Sequence, residues 1–150
     1  MNDVLEAHAG MSGESDASAR NWAAGAHLAA MGAAFLTSWS AGIAGAVAAF
    51  VVWLIVRDRH PFAAAHAKEA LNFNISMLLY ALAACALAVV LVGATIFTLG
   101  IGAIVTVPAG LALLAAAGVI AVMWLLCSII ATVKAFNGEE YRYPLTFRLF

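Results

Sequence analysis

Charge is missing from two long stretches of this chain, and those gaps organise everything else. No Asp, Glu, Lys or Arg occurs from Asn21 to Val56, and none from Ala70 to Val133. Between them stand Arg57, Asp58, Arg59, Lys68 and Glu69. A membrane span takes about 20 apolar residues. The first gap is broken by the polar run Thr37-Ser38-Trp39-Ser40, which leaves halves at 21–36 and 41–56. Each half makes about 24 Å of helix, short of a hydrocarbon core of about 30 Å. Either Arg20 and Arg57 snorkel to lengthen this hairpin, or its turn stops inside the far leaflet. Both versions return the chain to the side it left.

The second gap fits two full helices, near 69–93 and 108–135. The connection between them, 93–108, is rich in Gly and Thr. It closes on Pro108, a favourable first-turn residue, with Thr106 as candidate cap. Three spans fit this second gap by length as well, and would send Lys134, Arg142 and Arg148 to the opposite face. The cations favour four. Arg20 then precedes the first segment, Arg57, Arg59 and Lys68 lie between the second and third, and Lys134, Arg142 and Arg148 follow the fourth. All stand on one side, and the Lys/Arg excess marks the cytoplasmic side. The expected fold is an all-α integral membrane bundle of four transmembrane segments. Both termini are cytoplasmic, and the setting is the bacterial inner (cytoplasmic) membrane.

Composition agrees. Hydrophobic residues make up 65% of the 150, charged residues 10%, and the mean hydropathy is +1.00. A soluble domain carries about 25% charged residues, so too few polar side chains remain here to face water. The net charge of −1 supplies no field for nucleic acid. Residues 1–19 hold Asp3, Glu6, Glu14 and Asp16 without an apolar core or basic leader. They read as a disordered cytoplasmic tail, with the first hydrophobic helix serving as insertion signal. The domain proper is 20–150.

Lipid gives helices no hydrophobic reason to associate, so small residues that let backbones approach matter more. Ala41, Gly45 and Ala49 recur at intervals of four, as do Gly25 and Ala29. The third segment carries the clearest polar signal. Glu69, Asn72, Ser76 and Tyr80 are spaced three, four and four apart, which is one helical stripe. Such a stripe is costly in lipid unless partnered. His27 on the first segment and Ser128 and Thr132 on the last are expected at a similar depth, pointing inward. The stripe reads as a hydrogen-bonded clasp tying the cytoplasmic ends together. The alternative is a polar vestibule admitting a substrate, a peptide or protons.

Other chemistry is thin. His60 and His66 have no Cys or Asp pair at metal-ligand spacing, and no second intramembrane His exists to hold a haem with His27. Glu69 is the single carboxylate at the membrane edge, so a paired acid/base site is missing. Gly100-Ile101-Gly102 lacks the strand and third glycine of a nucleotide loop. Cys85 and Cys127 are expected about 24 Å and 10 Å deep, too different in level to bridge. No catalytic residue, metal or cofactor is assigned.

Three stretches, RNWAAGAHLAA at 20–30, VWLIVRDRHPFAAAHAKEALNFNIS at 52–76 and KAFNGEEYRYPLTFRLF at 134–150, carry a family resemblance. Together they resemble a widespread group of small four-helix bacterial membrane proteins of unknown function. That group is classed with the Tic-type import-translocon subunit of the chloroplast inner envelope. The most specific matches are Pro61-Phe62, His66, Lys68-Glu69-Ala70, Asn72-Phe73, Ile75-Ser76, Asn137-Gly138-Glu139 and Tyr141-Arg142-Tyr143-Pro144. The resemblance implies four helices, and by the translocon kinship a contribution to a preprotein channel.

These motif residues also have physical roles. Pro61 and Phe62 turn and anchor the chain at the headgroups. Asn137-Gly138 ends the last helix, with Lys134 against its negative end. Tyr141 and Tyr143 suit the interface, and Glu69 pairs with Arg142 or Arg57. The expected function is a small non-enzymatic structural or accessory membrane component acting through helix–helix contacts. A translocon-like transport element is the alternative. Partners are the lipid bilayer and either a larger membrane complex or a second copy, and not nucleic acid.

Overall fold

The computed structural model describes the backbone of residues 2–37 and 41–150, and side chains from Ala17 onward except Ala41. Ser38-Trp39-Ser40 of the expected polar break lie outside the described residues. The described residues form four helices and no strand: α1 Asn2–Leu36, α2 Ala41–Val56, α3 Pro61–Phe97 and α4 Ala103–Phe136. α1 continues back from the expected start at 21 as far as Asn2. Nothing in the sequence compels a break there, because the first proline of the chain is Pro61.

Pro61 itself opens α3, at the position where its missing N–H costs nothing and its fixed φ suits the helix. α3 thus extends the expected 69–93 segment at both ends. α4 departs from the expectation of a long connection. Its first residue is Ala103, with Gly102 rather than Thr106 at the cap, and Pro108 lies inside the helix. Leu99 (φ 50°) and Gly100 (φ 89°) reverse the chain within residues 98–102. The Thr98 hydroxyl accepts the Gly102 N–H at 2.8 Å, and the Thr106 hydroxyl donates to the Gly102 carbonyl at 3.1 Å. These threonine bonds hold the first turn of α4, so the helix nucleates upstream of the proline.

α1 and α3 each touch the other three helices, whereas α2 and α4 share no contact among the described residues. The core is built mainly of alanine: Ala23, Ala26, Ala49, Ala63, Ala67, Ala70, Ala131 and Ala135 are fully buried, and Phe73 is the largest fully buried side chain among the described residues. Gly45 shows why small residues are needed. A Cβ there would overlap the Asn74 side-chain oxygen and lie 3.1 Å from the Ala30 carbonyl, so α1, α2 and α3 meet where only hydrogen fits.

The two hairpins differ in length. Gly42, at the start of α2, lies against Leu78, and Phe35, near the end of α1, meets Trp124 with ring centroids 5.9 Å apart. Past that level α3 runs on from Leu79 to Phe97, about 28 Å at 1.5 Å per residue, with α4 beside it. Among the described residues, α3 and α4 are the two helices long and apolar enough to cross a membrane, each with mean hydropathy 2.6 over its most apolar stretch. α2, of 16 residues, is apolar but shorter.

Candidate functional site

The polar groups converge at the end of the bundle where α1, α3 and α4 meet the segment after α4. α4 stops as its sequence suggests. Asn137 caps it, and Gly138 takes φ 79°, a left-handed conformation that glycine adopts at little cost. Lys134 reaches forward to Glu139 at 3.0 Å, and Arg20 of α1 lies beside Gly138. Residues 139–150 then run without helix back along α3.

That return path is the stripe. The Tyr143 N–H donates to Glu69 Oε2 at 3.3 Å, and Arg148 Nε sits 3.1 Å from Glu69 Oε1. Asn72 Oδ1 accepts the N–H groups of Leu149 and Phe150 at 3.0 and 3.2 Å, while its Nδ2 donates to the Phe150 carbonyl at 3.2 Å. The Ser76 hydroxyl accepts the Phe147 N–H at 2.8 Å and donates to the Asn72 carbonyl at 2.7 Å. The Tyr80 hydroxyl donates to the Leu145 carbonyl at 2.8 Å. Each stripe residue therefore holds backbone of 143–150. Pro144 and Leu145 (φ 53°) turn this segment, and the Tyr80 bond fixes the carbonyl of the strained Leu145.

A second array lies behind it. Tyr143 is buried and stacks on Phe73, with centroids 3.9 Å apart and planes 14° from parallel. Its hydroxyl is 2.9 Å from His27 Nδ1, and His27 Nε2 is 2.9 Å from His66 Nδ1. Phe62 packs on His66 at 4.6 Å. Ser128 borders the Tyr143 phenol, and burial pushes the pKa of that phenol up. Burial, with Cys127 alongside, also raises Tyr141 to about 12. Both phenols stay protonated at neutral pH and are available as hydrogen-bond donors. Each imidazole spends a nitrogen on the other ring, so the pair is a hydrogen-bonded relay and not a chelate. No cluster of three metal-ligating side chains occurs among the described residues.

Of the candidate residues, the structure brings together His27, Glu69, Asn72, Ser76, Tyr80, Ser128, His66, Phe62 and Tyr143. Others stand apart. The Thr132 hydroxyl donates to the Ser128 carbonyl of its own helix at 2.8 Å, and Lys68 lies over Trp53 at 5.6 Å. Pro61 and Asn137 act as helix ends. Tyr141 touches Tyr143 edge-on at 5.1 Å, and Pro144 makes the turn. The expected partner of Glu69 needs correction. Arg148 holds it, whereas Arg57 pairs with its neighbour Asp58 at 3.2 Å and Arg142 is exposed. The turn at 144–145 doubles the segment back, which carries Arg148 and not Arg142 to the carboxylate. Arg148 was not singled out by the sequence because Arg142 and Arg148 both follow α4 and spacing does not rank them. Cys85 is exposed and Cys127 buried, both as free thiols.

Residues 18–150 match the family described as Magnetosome magnetite crystal formation protein. Comparison with curated proteins and with solved structures gave no match. The matched region takes in the whole of the clasp, from His27 to the 143–150 segment. The match bears out a small bacterial membrane family and carries no link to the import-translocon subunit. The family is a magnetosome membrane family involved in crystal formation and is not a known enzyme family, which fits a non-enzymatic accessory role. The chain belongs to the magnetosome magnetite crystal formation protein family.

Proposed function

We propose that this chain is a structural component of the magnetosome membrane that acts through helix–helix contacts within a larger assembly and supports crystal formation there. The observation that carries this reading is the occupied stripe. Glu69, Asn72, Ser76 and Tyr80 are the polar groups best placed to line a path, and they are bonded to the chain's own 143–150 segment. A translocon-like pore would need that segment to leave and six hydrogen bonds to its backbone to break. What the protein offers its surroundings is apolar helix surface, as at Leu87, Val90, Leu114 and Val122.

The membrane arrangement proposed with it has four segments, about 21–36, 41–56, 69–93 and 108–135, and both termini in the cytoplasm. Its support is the cation distribution together with the contacts that gather Arg20, Arg57, Lys68, Lys134 and Arg148 around one end of the bundle. The first hairpin's short reach is accommodated if its turn ends within the far leaflet.

Affinity capture from magnetosome membranes in mild detergent tests the function. A structural component co-purifies in fixed ratio with other membrane proteins. A strain lacking the chain should form crystals of altered size, which wild type corrects and Asn72→Leu corrects less well. If the purified chain instead conducts ions or peptides in vesicles, and Asn72→Leu abolishes that conductance, the pore reading replaces this one.

A further inference from the structure

We infer that the bundle is a wedge whose wider end occupies the cytoplasmic leaflet, so that the protein gathers where that leaflet is convex. This property goes beyond the structural role proposed above and rests on the membrane arrangement given with it. The two hairpins end at different levels. Lys68 of α3 lies over Trp53 of α2 at 5.6 Å, which places the charged end of the bundle. Gly42 lies against Leu78 and Phe35 meets Trp124, which places the end of the first hairpin. From Lys68 to Leu78 is about 15 Å, and over that depth four helices stand side by side. From Leu79 to Phe97 is a further stretch of about 28 Å, where only α3 and α4 continue among the described residues.

Burial follows the same division. In the layer of four, Asn72, Phe73 and Ser76 are at most 1% exposed. In the layer of two, Leu87 is 48% exposed, Val89 71%, Val90 64% and Val92 60%. Each residue turns the helix by about 100°, so these four look out in different directions around α3. One face remains covered. Ala84, Ala88, Leu91 and Thr95 are half-buried, and Thr95 meets Thr106 of α4. The narrowing is abrupt, because an apolar cleft of about 520 Å³ opens at the step, between Phe35 and Gly42 of the first hairpin and Ala84 and Ala117 of the second.

A helix is about 10 Å across, so two more helices add about 160 Å² of cross-section to one layer. The two layers together measure about 43 Å, more than a hydrocarbon core of about 30 Å. With the cations held at one surface, the step therefore lies inside the bilayer and no deeper than about its middle. The leaflet on the charged side then makes room for a larger inclusion than the leaflet opposite. Curving that side outward gives it the extra area, so the protein is more stable in a membrane already curved that way.

The test uses the full chain with Cys85→Ala and Cys127→Ala in giant vesicles of phosphatidylcholine and phosphatidylglycerol. One variant carries Glu140→Cys at the charged end, and another Ile101→Cys at the far end. A membrane-impermeant fluorescent maleimide added outside labels only molecules that present that end outward. A narrow tube, whose outer leaflet is convex, is pulled from each vesicle, and protein signal is divided by that of a lipid dye. Molecules labelled at 140 should be enriched several-fold in the tube, more so as it narrows, and those labelled at 101 should be depleted. Equal density in tube and vesicle, or a change of the same sign for both labels, would overturn the inference. The membrane arrangement is read separately. A chain carrying both cysteines should label at one end from outside and at the other only after detergent, and Ile43→Cys should stay unlabelled because lipid covers it. Labelling of both ends from one side, or of Ile43→Cys, would overturn the arrangement and the wedge with it. Correct labelling without sorting would overturn the wedge alone. Far-UV circular dichroism of each variant checks that the helices are intact.

Discussion

Replacing Tyr143 by Phe removes a single oxygen and leaves the rest of the ring in place. That oxygen is 2.9 Å from His27 Nδ1, and the two residues are 3% and 1% exposed. The variant leaves the buried imidazole nitrogen without its partner. An orphaned buried polar group costs about 1–3 kcal/mol, while measured bonds between helices in lipid average about 0.6 and reach about 1.7 kcal/mol. The expected loss is therefore about 1–2 kcal/mol. The stack on Phe73 survives this change but not Tyr143→Ala, which also empties the ring's volume and should cost about 3–5 kcal/mol. Reversible unfolding of the purified protein in mixed micelles, followed by far-UV circular dichroism as denaturing detergent is added, measures both. If the Phe variant matches wild type, the Tyr143–His27 bond contributes nothing. If it matches the Ala variant, the stack has been misjudged.

Other outcomes follow from the same contacts. Asn72→Leu keeps the number and branching of side-chain heavy atoms but removes three bonds to Leu149 and Phe150; it should cost about 1–3 kcal/mol and make residues 143–150 more susceptible to added protease in detergent. Gly45→Val, which drives a Cβ into Asn74 and the Ala30 carbonyl, should destabilise by about 1–3 kcal/mol in the same unfolding assay. Gly25→Ala is the contrasting case, because a Cβ there meets nothing within 4 Å, and it should stabilise α1 by up to about 1 kcal/mol. Raising the pH gives a further check. Tyr141 is held up to about 12, so its contribution is full below the unfolded phenol's pKa of about 10 and is lost as pH climbs from there towards 12. The thermal midpoint in detergent should hold steady to about pH 9 and fall above pH 10, less steeply in Tyr141→Phe.

The stripe on α3 was legible because helix periodicity alone puts Glu69, Asn72, Ser76 and Tyr80 on one line, and because polar groups in apolar sequence demand partners. Those partners were not legible. They are backbone groups of 143–150, and backbone amides look the same at every position of a sequence. The same blindness hid Arg148, one of two cations after α4, until the turn at Pro144-Leu145 placed it against Glu69. His27 and His66 gave no hint of touching, since 39 residues separate them and nothing in spacing links α1 to the start of α3. The start of α4 misled for a local reason. Thr106 and Pro108 form a plausible cap and first turn, but Thr98 and Thr106 hold the turn at Gly102 by side-chain bonds that pattern alone does not rank. The end of α4 was readable at Asn137-Gly138, because a left-handed residue is needed there and glycine supplies it.

The clasp between the α3 stripe and the segment after α4 is tested most directly by cross-linking in native membranes. With Cys85 and Cys127 replaced by Ala, Ser76→Cys paired with Phe147→Cys should form a disulfide under mild oxidation, because the Phe147 amide lies 2.8 Å from the Ser76 hydroxyl. Ala84→Cys paired with Phe147→Cys, displaced by about 12 Å along the same helix, should remain reduced. Free thiols counted by maleimide-polyethylene glycol give the answer on one gel. Equal cross-linking of both pairs, or of neither, would contradict the account.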